Sequence, residues 1–303
     1  MLHGTREQIK RWWFRTRCAD ILSTPSLRLR PGRLRIVSMV SHLDLTLYLL
    51  AIKSLYYHLG EGQITVINDR SLTLSDIELL KYHLSEPHIL AIDHIERGKC
   101  PQGGTWERLL LIADYVTENY VIQLDSDTLT LDRIPEVVNA VRENYCFTLG
   151  TGMGRDIAPM SAVCERMKNF DSTHVQVLAE QNFDRLCNYR ELKYVRGCSG
   201  FAGFARRSVS RPQIEKFSQE MEGVLGEKWC AWGSEQITSN FTIANSPHSR
   251  VLPYPKYSNF TPGVSHEQSV FLHFFGPYRF GRGVYIRRAR EMVKVLRSAK
   301  ASA

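Results

Sequence analysis

The chain reads as an α/β protein, with a mostly parallel sheet and helices on both faces. Two patterns predict this. Short apolar runs of strand length alternate with helix-length periodic runs from Arg35 to Leu124, the signature of βαβ units. Each of the first, second and fourth apolar runs also ends in polar residues: Ser41, then Asn68 and Asp69, then Asp125 and Asp127. In a parallel sheet these gather at the carboxyl ends of the strands, where ligands bind.

The elements follow in order. Arg35–Val40 is a β-rich run. Helical periodicity covers Leu43–Leu59 and closes at Gly60. Gln63–Ile67 is a second strand. Ser75–Leu84 is a helix that Ser75 and Glu78 would open as a capping box. His88–Ile95 is a third strand, and 97–104 is a glycine-rich loop. Trp106–Glu118 is a helix and Tyr120–Leu124 a fourth strand. Beyond residue 150 the pattern loosens. Thr148–Gly154 is a loop, Phe201–Ala205 a glycine-punctuated strand, and Arg211–Leu225 and Ser234–Ile243 are helices. Residues 245–262 are coil with short extended pieces, and Arg287–Ser298 is a basic helix. No linker separates independent domains.

Composition bounds the function. The chain has 303 residues, 43% of them hydrophobic, enough for one large core. Its longest apolar run, Leu47–Ile52, is far short of a bilayer span, and the first twenty residues lack the apolar core of a secretory signal. Seven cysteines without zinc-ligand spacing point to free thiols in a reducing, cytoplasmic setting. The net charge of +8 concentrates at the two ends. Near the start, Trp12, Trp13 and Phe14 interleave with Lys10, Arg11, Arg15 and Arg17. That pattern fits peripheral contact with an anionic membrane, although such a run is more often a solvated basic face with aromatics docked on the core.

Three constellations carry chemistry. The first is VIQLDSDTLTL, Val121–Leu131. A buried strand delivers Asp125 and Asp127, and strand alternation puts their side chains on one face. Adjacent buried carboxylates repel unless a cation sits between them, and hard oxygen ligands suit Mg2+ or Mn2+. A solvated turn after a strand is the competing account. The second is FLHFFGPYRFGRG, Phe271–Gly283, where His273 suits a Mn2+-type metal or a hydrogen-bonded core position. Arg279 there would meet phosphates, or belong to a surface turn. The third is WGSEQITSNF, Trp232–Phe241. Glu235 and Gln236 open a helix there, so they face a reacting sugar or simply stabilise the helix start.

Together these features resemble the GT-A glycosyltransferases, a Rossmann-like nucleotide-diphospho-sugar transferase fold, and most of all glycosyltransferase family 8. The resemblance spans residues 35–282. It rests on Arg108 in WERLLLIADY, on LDSDTLTLDRI, on GCSGFAGFARR, on Glu235, Gln236 and Asn240, and on HFFGPYR. Two departures stand out. Arg279 replaces the family's usual lysine, and Cys198 or Ser199 stands where an asparagine is usual.

The resemblance implies one GT-A domain over 1–303. About 34–150 would bind the nucleotide sugar, about 151–285 the acceptor, and 286–303 would be the basic C-terminal helix. It implies a metal-dependent, retaining hexosyltransferase that moves a sugar from a nucleotide diphosphate, UDP before GDP, to a glycan, glycolipid or other hydroxyl acceptor. Val40, Ser41, Asn68 and Asp69 would contact base and ribose. Asp125, Asp127 and His273 would hold Mn2+ or Mg2+. Arg279 would bind the diphosphate and Arg108 the donor sugar or phosphate, with Glu235 and Gln236 near the anomeric carbon. Trp229, Trp232, Tyr254, Tyr257 and Tyr278 are candidates to stack on sugars.

Three rivals fit less well. A HAD-type phosphatase also uses DxD after a strand. It needs Thr or Val four residues after the first Asp, where this chain has Leu129. A sugar-nucleotide pyrophosphorylase needs a glycine-rich loop where this chain reads VSMVSHLDLT. A nucleic-acid binder would suit the charge, but no binding motif is present, and nucleic acid is not an expected partner.

Overall fold

The computed structural model describes residues 2–30 and 32–299. Its elements begin with α1 (Leu2–Arg17), β1 (Leu34–Val40), α2 (Leu45–Leu59), β2 (Gln63–Asn68), α3 (Leu74–Leu84) and β3 (His88–Ala91). Next come α4 (Trp106–Tyr115), β4 (Tyr120–Leu124), β5 (Thr128–Thr130), α5 (Pro135–Glu143), β6 (Phe147–Leu149) and β7 (Ala158–Pro159). Then follow α6 (Met160–Met167), α7 (Val175–Gln181), β8 (Lys193–Tyr194), β9 (Cys198–Phe204), α8 (Arg211–Leu225) and α9 (Ser234–Ala244). The chain closes with β10 (Arg250–Val251), β11 (Tyr257–Asn259), β12 (Phe271–His273) and α10 (Val284–Ser298). Positions 300–303 of the predicted C-terminal segment lie outside the described residues. The fold is mixed α/β with a large, mostly parallel sheet, as the alternation predicts.

The chain forms two compact units. Unit one is Met1–Ala91, Leu124–Val138 and Pro255–Ala303; unit two is Ile92–Gln123 and Asn139–Tyr254.

Unit one holds the parallel ladder β1–β2–β3, with Val40 opposite Asn68 and Asn68 opposite Ala91. Helix α2 is buried from Thr46 to Tyr56. An all-round apolar helix belongs inside a core, which explains the LYLLAI run. Gly60 ends α2 at φ 80°, a left-handed conformation that costs glycine little. Beside α2 lies a small three-stranded sheet, β11–β12–β5. Strand β12 runs parallel to β11 and antiparallel to β5, and the Ser54 hydroxyl of α2 accepts a hydrogen bond from the Thr130 N–H at 3.1 Å. Helix α10 buries Tyr285, Ala289, Met292, Val293 and Leu296 and exposes Arg287, Arg290, Lys294 and Arg297. The basic run of the C-terminus is thus the solvated face of an amphipathic helix.

Unit two carries β10, β6, β9 and β4 in that order, with β10 parallel and β9 antiparallel to β6. All five residues of β4 are buried, so it reads as a continuous apolar run and not an alternating one. Trp229 is fully buried against Trp106 and Phe217.

Three expectations need correction. Helix α3 is capped by Thr73 with Asp76, not by Ser75 with Glu78. The Thr73 hydroxyl accepts from the Asp76 N–H at 3.2 Å, and Asp76 accepts from the Thr73 N–H at 2.8 Å. The third strand stops at Ala91 and continues as a 3-10 turn, Ile92–His94. Asp125 and Asp127 do not lie on a strand: residues 125–127 make the turn from β4 to β5. All seven cysteines are free thiols. Among the described residues, no helix is long and apolar enough to cross a membrane.

Candidate metal centre

The site is built from the β4–β5 turn. The Thr128 hydroxyl donates to the Asp125 carbonyl at 2.9 Å and closes that turn. Strand β12 then fixes the partner: His273 pairs with Thr128 across the ladder, and the Phe274 N–H donates to the Asp127 carbonyl at 2.8 Å. The result is a turn, not a pleat, that aims two carboxylates at one imidazole. Single ligand atoms of Asp125, Asp127 and His273 all lie within 4.8 Å of one another.

His273 is 4% exposed and its two nitrogens face different partners. Nδ1 lies 3.0 Å from Asn259 Oδ1. That carboxamide oxygen fixes the proton on Nδ1 and turns Nε2 toward the acids. Nε2 is 3.1 Å from Asp127 Oδ1 and 3.6 Å from Asp125 Oδ2. A nitrogen lone pair and two carboxylate oxygens at such distances could hold a cation among them. Two hard oxygens and one imidazole nitrogen, with the other ring nitrogen held by a hydrogen bond, suit a Mn2+-type cation.

Arg279 supplies positive charge from another side. Its Nη2 is 2.7 Å from Asp127 Oδ2, and its Nη1 is 3.9 Å from Asp44 Oδ1. Burial works to raise the Asp127 pKa, but the imidazole of His273, when both its nitrogens carry protons, and Arg279 outweigh it and hold the carboxyl at about 2; a metal at Nε2 would take the place of that proton. Asp44 in turn pairs with Arg11 of α1 and accepts from the Ser41 hydroxyl at 3.0 Å. Sequence reasoning did not find Arg11, Asp44 or Asn259. Arg11 and Asp44 are 33 positions apart, and Asn259 is 14 from His273; no local pattern links such pairs.

The other residues singled out fall in two places. In unit one, Val40 ends β1 fully buried, and Asn68 ends β2. Asn68 Oδ1 accepts from the N–H groups of Arg70 and Leu72 at 2.9 and 3.3 Å, and Asp69 Oδ1 from the Ser71 N–H at 3.0 Å. These acceptors therefore shape their own loop. In unit two, Glu235 is buried in the first turn of α9. It accepts from the Thr105 hydroxyl at 2.9 Å and from the Gln123 amide at 3.4 Å. Gln236 Oε1 accepts from the Ser199 N–H at 3.1 Å. Arg108 is buried in α4. Of the aromatics, Trp229 and Tyr257 are fully buried packing residues, with the Tyr257 hydroxyl donating to Glu136 at 2.6 Å; neither has a face open for stacking. Trp232 and Tyr278 are exposed, and Tyr254 carries the Arg155 guanidinium over its ring.

No protein-family model matches the chain, and no curated protein does. Solved structures do. The bifunctional glycosyltransferase WbbM matches with a TM-score of 0.52 and 14% identity, over 88% of this chain and 51% of that one. GlyE, a glycosyltransferase of Streptococcus pneumoniae TIGR4, matches at 0.55 and 14%, over 90% and 64%. The galactosyltransferase LgtC, solved with donor and acceptor sugar analogs, matches at 0.54 and 12%, over 86% and 95%. This chain thus spans 51% of WbbM and 64% of GlyE. At these identities the likeness is one of fold: the chain has the fold of GT-A glycosyltransferases. The phosphatase alternative is not favoured. Leu129, where that chemistry needs Thr or Val, is fully buried in β5.

Proposed function

We propose that the protein is a metal-dependent glycosyltransferase that moves a sugar from a nucleotide diphosphate to a hydroxyl acceptor. The convergence of Asp125, Asp127 and His273 within 4.8 Å, in this fold, carries the reading. Asp125, Asp127 and His273 would hold Mn2+ or Mg2+. A divalent cation there would supply positive charge to the diphosphate. Val40, Ser41, Asn68 and Asp69 receive the nucleotide, and Arg279 binds the diphosphate with its planar fork. Arg108 meets the donor sugar or phosphate, and Glu235 and Gln236 face the anomeric carbon. The acceptor oxygen bonds to that carbon, the bond from carbon to diphosphate oxygen breaks, and the acceptor proton passes to the leaving diphosphate.

Family 8 membership, retention of configuration, a hexose as the transferred sugar and UDP as the nucleotide rest on the motif resemblance. A glycan or glycolipid acceptor fits the same reading, as does one catalytic domain over 1–303. Helix α1 exposes Ile9, Trp12 and Trp13 beside Lys10, Arg15 and Arg17. That face supports peripheral contact with an anionic membrane at the cytoplasmic side.

The test is release of UDP or GDP from a panel of nucleotide sugars, with and without Mn2+, by wild type and Asp127→Ala. Mn2+-dependent release from one donor, lost in the variant, is expected. Folded protein that binds no nucleotide sugar with either metal overturns the reading.

A further inference from the structure

Helix α1 turns only some of its residues inward. Arg11, Phe14 and Cys18 are partly or fully buried, while Lys10, Trp12, Trp13, Arg15 and Arg17 are exposed. Spacings of three and four put the inward set on one face of the helix or at its end. Phe14 packs this face on the residues that follow the HFFGPYR segment. Its ring lies 5.5 Å from Phe280 and 4.5 Å from Tyr285, and Tyr285 stacks on Phe274 at 4.1 Å. One turn back, Arg11 reaches Asp44. Of the cations from Lys10 to Arg17, Arg11 is the one that faces inward.

Asp44 is a shared counter-ion. Its Oδ1 meets Arg11, lies 3.9 Å from Arg279, and belongs to the 3-10 turn His42–Asp44 that follows β1. Arg279 divides itself between Asp44 and Asp127. Two guanidiniums therefore share one carboxylate beside a second that belongs to the metal centre. A diphosphate, with more charge and more acceptor oxygens than a carboxylate, satisfies both forks better.

We propose that Arg11 is a second phosphate-binding arginine of the donor site, paired with Arg279, and that Asp44 holds the two until an anionic ligand replaces it. This rests on reading the centre as a nucleotide-diphosphate and metal site. It makes α1 part of the binding site, although the helix lies outside the region of family resemblance.

The test is calorimetric titration of UDP and of GDP in saturating Mn2+, and of Mn2+ alone, into wild type, Arg11→Ala, Arg11→Lys and Asp44→Asn. Arg11→Ala is expected to weaken nucleotide binding at least about tenfold and to leave Mn2+ affinity within about threefold. Arg11→Lys recovers part of the loss, because the charge stays and the fork is lost. Asp44→Asn is expected to bind nucleotide as tightly as wild type or tighter. The Asp44 variant separates this role from simple tethering of α1, in which losing the Arg11–Asp44 pair weakens binding from either side. Nucleotide affinity of Arg11→Ala within twofold of wild type, or an Asp44→Asn loss equal to that of Arg11→Ala, overturns the proposal and leaves the glycosyltransferase reading intact. A wild type that binds neither nucleotide overturns both.

Discussion

Asp127 and Glu235 are both buried carboxylates, 6% and 2% exposed, and different partners hold them. Around Asp127 stand His273, Arg279 and a second acid, Asp125. Glu235 receives hydrogen bonds from the neutral donors Thr105 and Gln123, at the positive end of α9. A carboxylate matched by mobile or exchangeable charges can trade one cation for another. A carboxylate that accepts from hydroxyl and amide donors of its own scaffold is held in position by them. The first arrangement suits ligand exchange, and the second suits an oriented group that must not move.

The largest effect expected follows from that contrast. His273→Ala removes the nitrogen ligand, so Mn2+ binding should fail and turnover should drop by about 10³-fold or more. Glu235→Gln keeps the size and the hydrogen bonds of the scaffold. It should leave Mn2+ affinity within about twofold while lowering turnover roughly 10–100-fold. Metal titration and donor hydrolysis measured on both variants separate the two. A Glu235→Gln protein that loses Mn2+, or a His273→Ala protein that keeps it, breaks the comparison.

Burial drives the next contrast, and its sign differs between the units. In unit one, His83 is buried against Lys53, whose ammonium donates to His83 Nδ1 at 2.9 Å. Burial, then the Lys53 charge, push the His83 pKa down to about 4. Between about 4 and the ordinary value of 6.5 the unfolded chain binds more protons, so this stability is lost as pH falls through that window. In unit two, burial outweighs Arg196 and pushes Glu180 up to about 7. Between 4.5 and about 7 the folded chain binds more protons, so the Glu180 contribution declines as pH rises. Each is worth roughly 1–3 kcal/mol. Denaturation at stepped pH should show Glu180→Gln losing less stability than wild type from pH 4.5 to 7, whatever its constant offset. His83→Gln should flatten the acid limb between pH 6.5 and 4. Matching slopes in wild type and variants would refute the assignment.

Legibility followed the range of the interactions. Strands β1, β2 and β4 sit within a residue of where their apolar runs place them, because buried parallel strands write themselves as such runs. The metal trio was legible because its chemistry is unusual: two acids one residue apart, and a distant histidine among phenylalanines. The acids converge through a turn closed by Thr128, and strand alternation plays no part. Strands β5, β11 and β12 are three residues each, too short for any period to show. Arg11, Asp44 and Asn259 act across long loops, through contacts that exist only after folding.

The smallest effect tests the misread helix start. Thr73-x-x-Asp76 and Ser75-x-x-Glu78 overlap, and both fit the spacing of a capping box. The choice falls to Thr73 because its backbone is extended, while Ser75 already lies inside α3 and, like Glu78, is exposed. Thr73→Ala should cost about 1 kcal/mol, and Ser75→Ala should fall within about 0.5 kcal/mol of wild type. Asp76 also lies 2.7 Å from His42 Nδ1, in the turn that carries Ser41 and Asp44. A loosened cap would therefore disturb the same turn at Ser41, a proposed nucleotide contact. If so, Thr73→Ala should weaken UDP binding slightly, by about twofold, and Ser75→Ala should leave it unchanged. Urea denaturation and UDP titration of the two variants read both expectations, and a larger cost at Ser75 would return the helix start to the overlapping pair.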